Sequence, residues 1–520
     1  MVKTIAALVV VTIVLIIPSE ITRYTPLEFL RLPLEAILGA GLLLSVREKA
    51  RRPVAVILGV LLGTLAVIKL ADLGFSFFLD RPFDPVGDWP FLAAAVEFLR
   101  ESYGKTGAVI ALALAVVLAV GLMAIMTFAV SRLAEPLNRH RDVAARAVAI
   151  TAVVWFALAA LGLPNASHPL YDRVAQVQAG IEDRNAFHEE LKVDPYREVP
   201  GGDLLNALHG KDVLLVYVES YGRVALEDPR LAPGVKAVLD AHDRRLQAAG
   251  FQSRSAFVTS PTAGGGSWLA HDTLLSGLWV NTQQRHNDLL GSDRLTLNRA
   301  FGRAGWRTVG IMPAVTRDWP EGKYFGYDKL YLQSDLGYAG PKFTFDSIPD
   351  QYTLSFFQRR ERAAPGHQPV MAEIPLVSSH APWDPIPPLV GWADVGDGTI
   401  YHAAVGSENL PESVFKRARG EVRQDYAQSI QYSLDTLMSY VETYGDDNLV
   451  VIFLGDHQPA PIVAGLGAGR DAPISIVARD PAVISRLDSW GWESGIKPDA
   501  HAPVWRMDAF RDRFLAAYAR

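Results

Sequence analysis

The stretch LVVIFLGDHQP, residues 449–459, joins an apolar run to a polar turn. The run is typical of a buried β-strand, and it ends with Asp456 and His457 side by side. In α/β proteins, functional sites are built at the carboxyl edge of the sheet. A carboxylate beside an imidazole suits a divalent metal ion, although a polar turn after a buried strand has the same appearance on these residues alone.

The composition limits the class of protein. The chain has 520 residues, no cysteine and a formal net charge of -6. This length is enough for a membrane region and one large globular domain. Because cysteine is absent, any exported part must fold without disulfides. A nucleic-acid-binding surface needs a basic excess, so the mild acidity argues against nucleic acid as a partner.

Apolar residues are concentrated in the first third of the chain. Five segments there have the composition of spanning helices, which predicts a five-helix transmembrane domain over residues 1–163. The segments cover residues 4–18, 32–46, 53–71, 107–130 and 144–163. The second is the weakest because it is short and carries Glu35. The first has a signal peptide as its alternative, but the apolar segments that follow favour an uncleaved anchor.

The basic residues of the short connections predict the orientation. One basic loop, which includes Arg51, separates the second and third segments, and another, which includes Arg139, separates the fourth and fifth. Such loops stay in the cytoplasm, so the N-terminus with Lys3 is also expected inside. An odd number of spans then puts the chain after residue 163 on the outside.

The remaining chain has two predicted parts. Residues 164–210 are polar and rich in breakers, which predicts a linker with one helix near residues 171–191. From residue 211 to 520, apolar runs alternate with amphipathic segments, which predicts a sheet covered by helices on both faces. Strands are predicted at residues 213–218, 306–312, 370–377, 449–454 and 473–478, and a long helix at residues 422–444. The first strand ends in Glu219, so its carboxylate is expected to meet Asp456 and His457.

A glycine-rich stretch lies between these strands, with the sequence AGGGSWLA at residues 263–270. Three glycines permit left-handed torsions and close approach to a ligand, and helical spacing follows. Ser267 is therefore expected at a helix N-terminus, where a serine is most often only an N-cap. A divalent cation bound to its oxygen would lower the pKa of the hydroxyl and make it a nucleophile, and the helix amides would hold a phosphate oxygen.

Together these motifs resemble the sulfatase-like branch of the alkaline phosphatase superfamily. The resemblance depends on Glu219 at a strand end, on Ser267, on Ser-His-Ala-Pro at residues 379–382 and on Gly-Asp-His at residues 455–457. The chain looks similar to the lipoteichoic acid synthases and related phosphoglycerol transferases. That similarity implies five spans in the bacterial plasma (inner) membrane, followed by an extracytoplasmic α/β sulfatase-like domain with a central mixed, mostly parallel sheet.

The resemblance also implies roles for single residues. Glu219, Asp456 and His457 match the family's metal ligands. Ser267 matches its nucleophile, which also contacts the metal and is usually threonine. His380 matches the histidine that contacts the transferred phosphoryl group or the leaving oxygen, and it is expected to act in catalysis and in substrate binding.

Substrate binding is the less defined part of the predicted site. Arg317 and Trp319 resemble the segment that holds the substrate head group, although their spacing departs from the family pattern. A guanidinium binds two phosphate oxygens at once, which favours Arg317 as the phosphate contact, with a solvated loop arginine as the alternative. No motif assigns a role to His271, Asp272 or His501.

The implied function is metal-dependent transfer of a phospholipid head group, of the phosphoglycerol type, from a membrane lipid to an envelope glycan, polymer or lipid. A covalent phospho-serine intermediate is expected. Oxygen ligands and one imidazole suit one divalent ion, with manganese as the first choice and zinc or magnesium as alternatives.

Four other functions are less favoured. A phosphoethanolamine transferase is the alternative, but the family members with that activity use disulfides in the outer domain. A sulfatase needs a Cys/Ser-x-Pro-x-Arg motif, whereas Ser260, Pro261 and Thr262 are followed by alanine and glycine. A hydrolytic phosphodiesterase is a further, less favoured alternative. A non-catalytic membrane sensor is disfavoured because the ligand set is intact.

Overall fold

The computed structural model describes residues 2–18, 32–161, 166–167, 169–343, 348–403 and 417–519. The chain forms two compact units, Met1–Ala186 and Phe187–Arg520. The first unit is helical, and the second is built on a large sheet.

The first unit contains five helices before the one at the unit boundary. Their bounds are α1 (Val2–Ile16), α2 (Leu34–Ser45), α3 (Glu48–Leu79), α4 (Trp89–Arg139) and α5 (Arg141–Ala160), and α6 (Pro169–Lys192) follows them. The backbone of α4 is non-helical at Gly104, which has a φ of 72°, so α4 consists of two helical parts. Two short extended segments, β1 (Leu32–Pro33) and β2 (Ala166–Ser167), pair in parallel.

Among the described residues, three helices are long and apolar enough to cross a membrane: Glu48–Leu79, Gly104–Leu137 and Arg141–Ala160. They contain or overlap the third, fourth and fifth predicted segments. The first two segments form the shorter apolar helices α1 and α2, of 15 and 12 residues. A perpendicular span needs about 20 residues. Three candidate spans are therefore present, and the number of five remains a prediction.

Helices α3 and α4 approach each other closely at two glycines. A Cβ added at Gly59 would lie 2.4 Å from Thr127 Cα, and one at Gly63 would lie 2.6 Å from Met123 Cα. Residues four apart share one face of a helix, so the two glycines form a continuous contact strip. Small residues let helix backbones pack closely in lipid, which explains glycine at both positions.

The second unit is organised around one nine-stranded sheet. Its strands are β3 (Asp212–Val218), β4 (Gln252–Thr259), β5 (Arg307–Met312), β6 (Lys329–Leu332), β7 (Val370–Leu376), β8 (Leu449–Gly455), β9 (Asp471–Ala478), β10 (Glu493–Ser494) and β11 (Val504–Arg506). Their spatial order is β10-β4-β9-β8-β3-β7-β5-β6, with β11 beside β4.

The sheet is mixed but mostly parallel, as predicted. Strand β3 pairs in parallel with β7 and β8, and β5 pairs in parallel with β6 and β7. Among the described strands of this sheet, β9 and β10 run in the direction opposite to the other seven, so their pairings with β4 and β8 are antiparallel. The five predicted strands are confirmed, whereas β4, β6, β10 and β11 were not predicted. Strands β3 and β8 are buried along their whole length, which accounts for their uninterrupted apolar sequences.

Helices cover both faces of this sheet. They are α7 (Val224–Glu227), α8 (Ala232–Ala248), α9 (Ser267–Ser276), α10 (Gln283–Leu290), α11 (Leu297–Arg303), α12 (Gly322–Phe325), α13 (Asp350–Phe357), α14 (Arg419–Tyr444), α15 (Pro461–Ala464), α16 (Pro481–Ser485) and α17 (Ala509–Tyr518). Leu214 and Val216 of β3 belong to one buried cluster with residues of α8 and α14. Tyr217 points to the opposite face, where it stacks on His271 of α9.

A buried ion pair joins the beginning and the end of the second unit. Arg511 of α17 is fully buried, and its Nη2 lies 3.0 Å from Asp194 Oδ1. The amide of Leu295 donates to the other oxygen of Asp194 over 2.9 Å. Although burial opposes ionisation, Arg511 and the Leu295 amide hold the pKa of Asp194 below its usual value. The segment that leads into the domain is thus fastened to its last helix.

Candidate metal centre and active site

Adjacent parallel strands bring the predicted ligands to one edge of the sheet. Val218 at the end of β3 lies beside Leu376 of β7 and Gly455 of β8. Glu219 directly follows β3 and Asp456 directly follows β8, so their carboxylates are neighbours. This is the meeting of strand ends that the sequence predicted.

Glu219, Asp456 and His457 form a group whose ligand atoms all lie within 4.8 Å of one another. His457 Nε2 is 3.6 Å from Glu219 Oε1 and 3.5 Å from Asp456 Oδ2. The side chains of Asp456 and His457 are 1% exposed, and that of Glu219 is 11% exposed. In the part of the chain that the structure describes, this is the one such group of three histidine or carboxylate side chains.

Backbone hydrogen bonds orient Asp456. The amides of Ser220 and His457 both donate to its Oδ1 over 2.8 Å, so Oδ2 is the oxygen that faces His457 Nε2. Ser220 adopts a φ of 58°, in the left-handed region. That conformation costs a non-glycine residue roughly 1 kcal/mol, so the turn after β3 stores strain in order to present this amide.

The tautomer of His457 is set by its other ring nitrogen. Nδ1 lies 2.8 Å from the carbonyl oxygen of Gln458, which can only accept, so Nδ1 carries the proton. The lone pair of Nε2 therefore faces the carboxylates. A backbone carbonyl that holds one ring nitrogen in this way is common for metal-binding histidines.

Ser267 places its hydroxyl inside the group of ligands. Its Oγ lies 3.2 Å from Glu219 Oε2 and 3.2 Å from His457 Nε2. Ser267 is the first residue of α9, as predicted, and Gly264, Gly265 and Gly266 before it have φ angles of 73°, 155° and 77°. The predicted left-handed torsions are confirmed.

Two nearby hydroxyls are directed elsewhere. Ser260 Oγ donates to the carbonyl of Asp456, and Thr262 Oγ1 donates to the carbonyl of Gly265, each over 2.6 Å. They brace the glycine-rich loop against the strand end that carries the ligands. Ser267 is therefore the hydroxyl of this stretch that lies among the ligand atoms.

The electrostatics of the group indicate a cation site. Burial, followed by the nearby charge of Glu219, raises the pKa of Asp456 to about 6. Burial opposes ionisation of Glu219 too, but His457 and then His380 hold its pKa below the usual value. Against burial, Asp456 and Glu219 raise the pKa of His457. Two buried carboxylates with one imidazole and one hydroxyl form a donor set that fits a divalent ion.

His380 lies at the same edge, after β7. Its Nδ1 donates to the carbonyl of Ala381 over 2.7 Å, and the side chain is half-buried. Its charge contributes to the lowered pKa of Glu219, which places it near the group. The neighbouring Ser379 donates from Oγ to the Glu219 carbonyl over 2.6 Å, so this segment is fastened to the ligand turn.

The predicted substrate residues lie on a separate loop. Arg317 is exposed, and Trp319 is half-buried and stacks on Phe325 with a centroid distance of 5.6 Å. Within the described ranges, no hydrogen bond or ion pair joins either residue to the ligand group. Their roles therefore stay predictions. His501 lies on an exposed loop, where its amide donates to Asp499.

One polar group near the site was not predicted. Glu373 of β7 is fully buried and accepts hydrogen bonds from His271, Asn298 and Tyr327. The signal for it was a single glutamate inside the apolar strand VMAEIPL, residues 370–376. Asp272, also buried, lies 2.5 Å from His286.

Comparisons with known proteins give matches to solved structures only. No family model and no curated protein matches the chain. The lipoteichoic acid synthase LtaP from Listeria monocytogenes is 17% identical, with a TM-score of 0.36, over 52% of this chain and 66% of that one. The Streptococcus pyogenes phosphoglycerol transferase GacH, in complex with sn-glycerol-1-phosphate, is 14% identical, with a TM-score of 0.39, over 63% of this chain and 79% of that one. The C-terminal periplasmic domain of EcEptC from Escherichia coli, in complex with Zn, is 13% identical, with a TM-score of 0.40, over 59% of this chain and 82% of that one.

The chain thus spans just under two thirds of the LtaP structure that it matches. Because the TM-scores are below 0.5, the chemistry of the site has to be inferred from its own residues. The matched proteins include a lipoteichoic acid synthase and a phosphoglycerol transferase, which are the groups that the sequence motifs resemble.

Proposed function

We propose that this protein is a metal-dependent phosphotransferase that moves a phospholipid head group, of the phosphoglycerol type, to an acceptor in the bacterial cell envelope. The acceptor is a glycan, a polymer or a lipid. One observation carries the proposal: the hydroxyl of Ser267, at the start of α9, lies 3.2 Å from both Glu219 and His457. Because this hydroxyl lies among side chains that are typical metal ligands, the role of a nucleophile fits Ser267 better than the role of an N-cap residue.

Glu219, Asp456, His457 and Ser267 would hold one divalent ion. When bound, such an ion supplies Lewis-acid chemistry, which lowers the pKa of the serine hydroxyl and neutralises charge on the phosphoryl oxygens. Manganese, zinc and magnesium are all compatible with three oxygen donors and one imidazole, and manganese is our choice.

The residues of the chain then divide the work. Ser267 Oγ releases its proton to solvent and attacks the phosphorus of the donor, the bond from phosphorus to the diacylglycerol oxygen breaks, and that oxygen takes a proton from His380. His380 Nδ1 is held by the Ala381 carbonyl, so proton exchange would use Nε2. The first amides of α9 would bind a phosphoryl oxygen. In the second step an acceptor hydroxyl gives its proton to His380 and attacks the same phosphorus. The bond from phosphorus to Ser267 Oγ breaks, and the serine regains a proton from solvent.

The membrane unit agrees with a lipid donor. Its three long apolar helices support a membrane protein. From the basic loops we propose five spans over residues 1–163, a linker over residues 164–210 and an extracytoplasmic catalytic domain over residues 211–520. Such a domain would work beside the outer leaflet, where Arg317 and Trp319 are our candidates for holding the head group.

The test uses the full-length protein in liposomes that contain phosphatidylglycerol and Mn²⁺. We expect release of diacylglycerol and, without acceptor, a mass increase of one glycerophosphate on Ser267. Ser267→Ala should show neither. Liposomes with phosphatidylethanolamine instead test the alternative head group, and consumption of that lipid alone would assign the protein as a phosphoethanolamine transferase. No consumption of either lipid with Mn²⁺, Zn²⁺ or Mg²⁺ would contradict the proposal.

A further inference from the structure

Glu373 is a buried carboxylate in the middle of the sheet. It lies on β7, between β3 and β5, and its side chain is 1% exposed. A buried charge is costly unless hydrogen bonds compensate for the lost water. Glu373 accepts three: from His271 Nδ1 over 3.1 Å, from Asn298 Nδ2 over 2.8 Å and from the Tyr327 hydroxyl over 2.7 Å.

The first of these donors belongs to the helix that carries the nucleophile. His271 follows Ser267 by one helical turn, so both lie on the same face of α9. The ring of His271 also stacks on Tyr217 of β3, with centroids 3.7 Å apart and planes 10° apart. One hydrogen bond to β7 and one ring contact with β3 thus hold the first turn of α9 against the sheet.

Another donor belongs to the loop that carries the predicted head-group residues. Tyr327 follows α12 after one glycine, Gly326, and its ring lies 6.1 Å from that of Phe325, on which Trp319 stacks. Asn298, the remaining donor, is on α11. One carboxylate therefore contacts the nucleophile helix on one side and the loop of Trp319 on the other.

Core filling alone does not explain a glutamate here. The strand around it is apolar, and a leucine would fill the same position without the desolvation cost of a carboxylate. Hydrogen bonds to a charged acceptor are shorter and stronger than neutral ones, and they impose direction. Direction matters beside a nucleophile, because a misplacement of about 1 Å costs on the order of 10²-fold in rate.

We propose that Glu373 is a positioning residue that couples α9 to the segment of residues 317–327. Through His271 and Tyr327, the packing of this segment determines where α9 holds Ser267. The catalytic consequence rests on the proposed function, whereas the coupling itself is a property of the fold.

A second buried glutamate in the same unit offers a matched control. Glu361 accepts from Arg307 Nε over 2.7 Å and from the Tyr331 hydroxyl over 2.6 Å, and its side chain is 4% exposed. None of these residues is part of α9 or of the segment of residues 317–327. The pair Tyr331 and Glu361 therefore reproduces the chemistry of Tyr327 and Glu373 without the proposed coupling.

The first test measures hydrogen exchange of the full-length protein in detergent. Tyr327→Phe removes the hydroxyl on the loop side of Glu373, and we expect amide exchange in α9, on the other side, to rise at least three-fold. Tyr331→Phe should leave exchange in α9 unchanged. Unchanged exchange in α9 of Tyr327→Phe, or an equal rise in both variants, would overturn the coupling.

The second test measures turnover. Glu373→Gln should lower kcat by about 10- to 100-fold while metal content stays the same, and Glu361→Gln should lower only the unfolding temperature. His271→Asn, which keeps a donor near the position of Nδ1, should retain more activity than His271→Ala. Equal kcat losses in the two glutamate variants would overturn the positioning role. Absence of transfer by the wild type would refute the proposed function, and the exchange experiment would still decide the coupling.

Discussion

Asp456 is a proposed metal ligand, but its negative charge is expected to destabilise the protein when no metal is bound. Its pKa is raised from 3.8 to about 6 by burial and by Glu219. At about 1.36 kcal/mol per pKa unit, this shift of roughly two units destabilises the metal-free fold at neutral pH by at most about 3 kcal/mol. Asp456→Asn removes the charge and keeps the oxygen that accepts from Ser220 and His457. We therefore expect this variant to be more stable than the wild type in EDTA.

The sign of the pH dependence follows from the raised pKa. The folded wild type binds the Asp456 proton more tightly than the unfolded chain, so its stability is lost as the pH rises from 3.8 through about 6. His457 also has a raised pKa, and its contribution is likewise lost with rising pH. Asparagine at position 456 does not titrate, and it removes the larger of the two charges that raise the pKa of His457. The advantage of the variant should therefore grow between pH 5 and pH 8.

Thermal unfolding of the full-length protein in detergent checks this expectation. In EDTA at pH 8 the variant should unfold up to about 6 °C above the wild type, given roughly 2 °C per kcal/mol for a large domain. Mn²⁺ at 1,000 times its Kd should reverse the order, because such an excess adds about 4.1 kcal/mol to a protein that binds the ion. Asp272→Asn is the control, since burial raises the pKa of Asp272 as well but it is not a proposed ligand. A variant less stable than the wild type in EDTA at pH 8, or a difference independent of pH, would refute the reasoning.

Four further outcomes are expected. Ser267→Ala should end head-group transfer with the ion still bound, as measured by metal analysis beside lipid assays; transfer that survives would move the nucleophile elsewhere. Glu219→Ala and His457→Ala should each lower metal content and turnover together, because each removes one donor; full metal content in both would refute the ligand set. His380→Ala should cost about 10² to 10⁴ in rate on the lipid and much less on an activated aryl phosphodiester, and equal losses would exclude a proton-donor role. A reporter at the C-terminus should be active only outside the cytoplasm, and cytoplasmic activity would reverse the predicted topology.

The sequence predicted the centre of the sheet and the ligand group for the same physical reason. Strands β3 and β8 are buried on both faces and read as apolar runs, and β7 is an apolar run with one glutamate. The polar residues after these strands fall at one edge. The strands that were missed are short, as in β6, β10 and β11, or begin with polar residues, as in β4. Such strands owe their structure to pairing rather than to a local pattern.

No sequence pattern predicted the hydrogen bonds of Glu373. Its partner His271 is 102 residues away, and a histidine on a helix carries no spacing that points to a strand. The left-handed φ of Ser220 was equally hidden, because serine is not a residue that marks such a torsion. Arg317 was predicted from its guanidinium and its position close to Trp319, and an exposed loop supplies no packing constraint by which to test that prediction.

The arrangement of β3, β7 and β8 has a consequence for how the chain is made. Ser220 hydrogen-bonds Asp456 across 236 residues, so the two halves of the ligand group leave the ribosome far apart in time. Until β7 and β8 have been synthesised, β3 has neither of its neighbours in the sheet. Arg511, the partner of Asp194, is synthesised later than either strand. A partly synthesised chain therefore holds no complete ion site, whatever metals the cytoplasm contains. For a polypeptide that crosses a membrane as it is made, the metal that is bound would depend on the compartment in which folding ends.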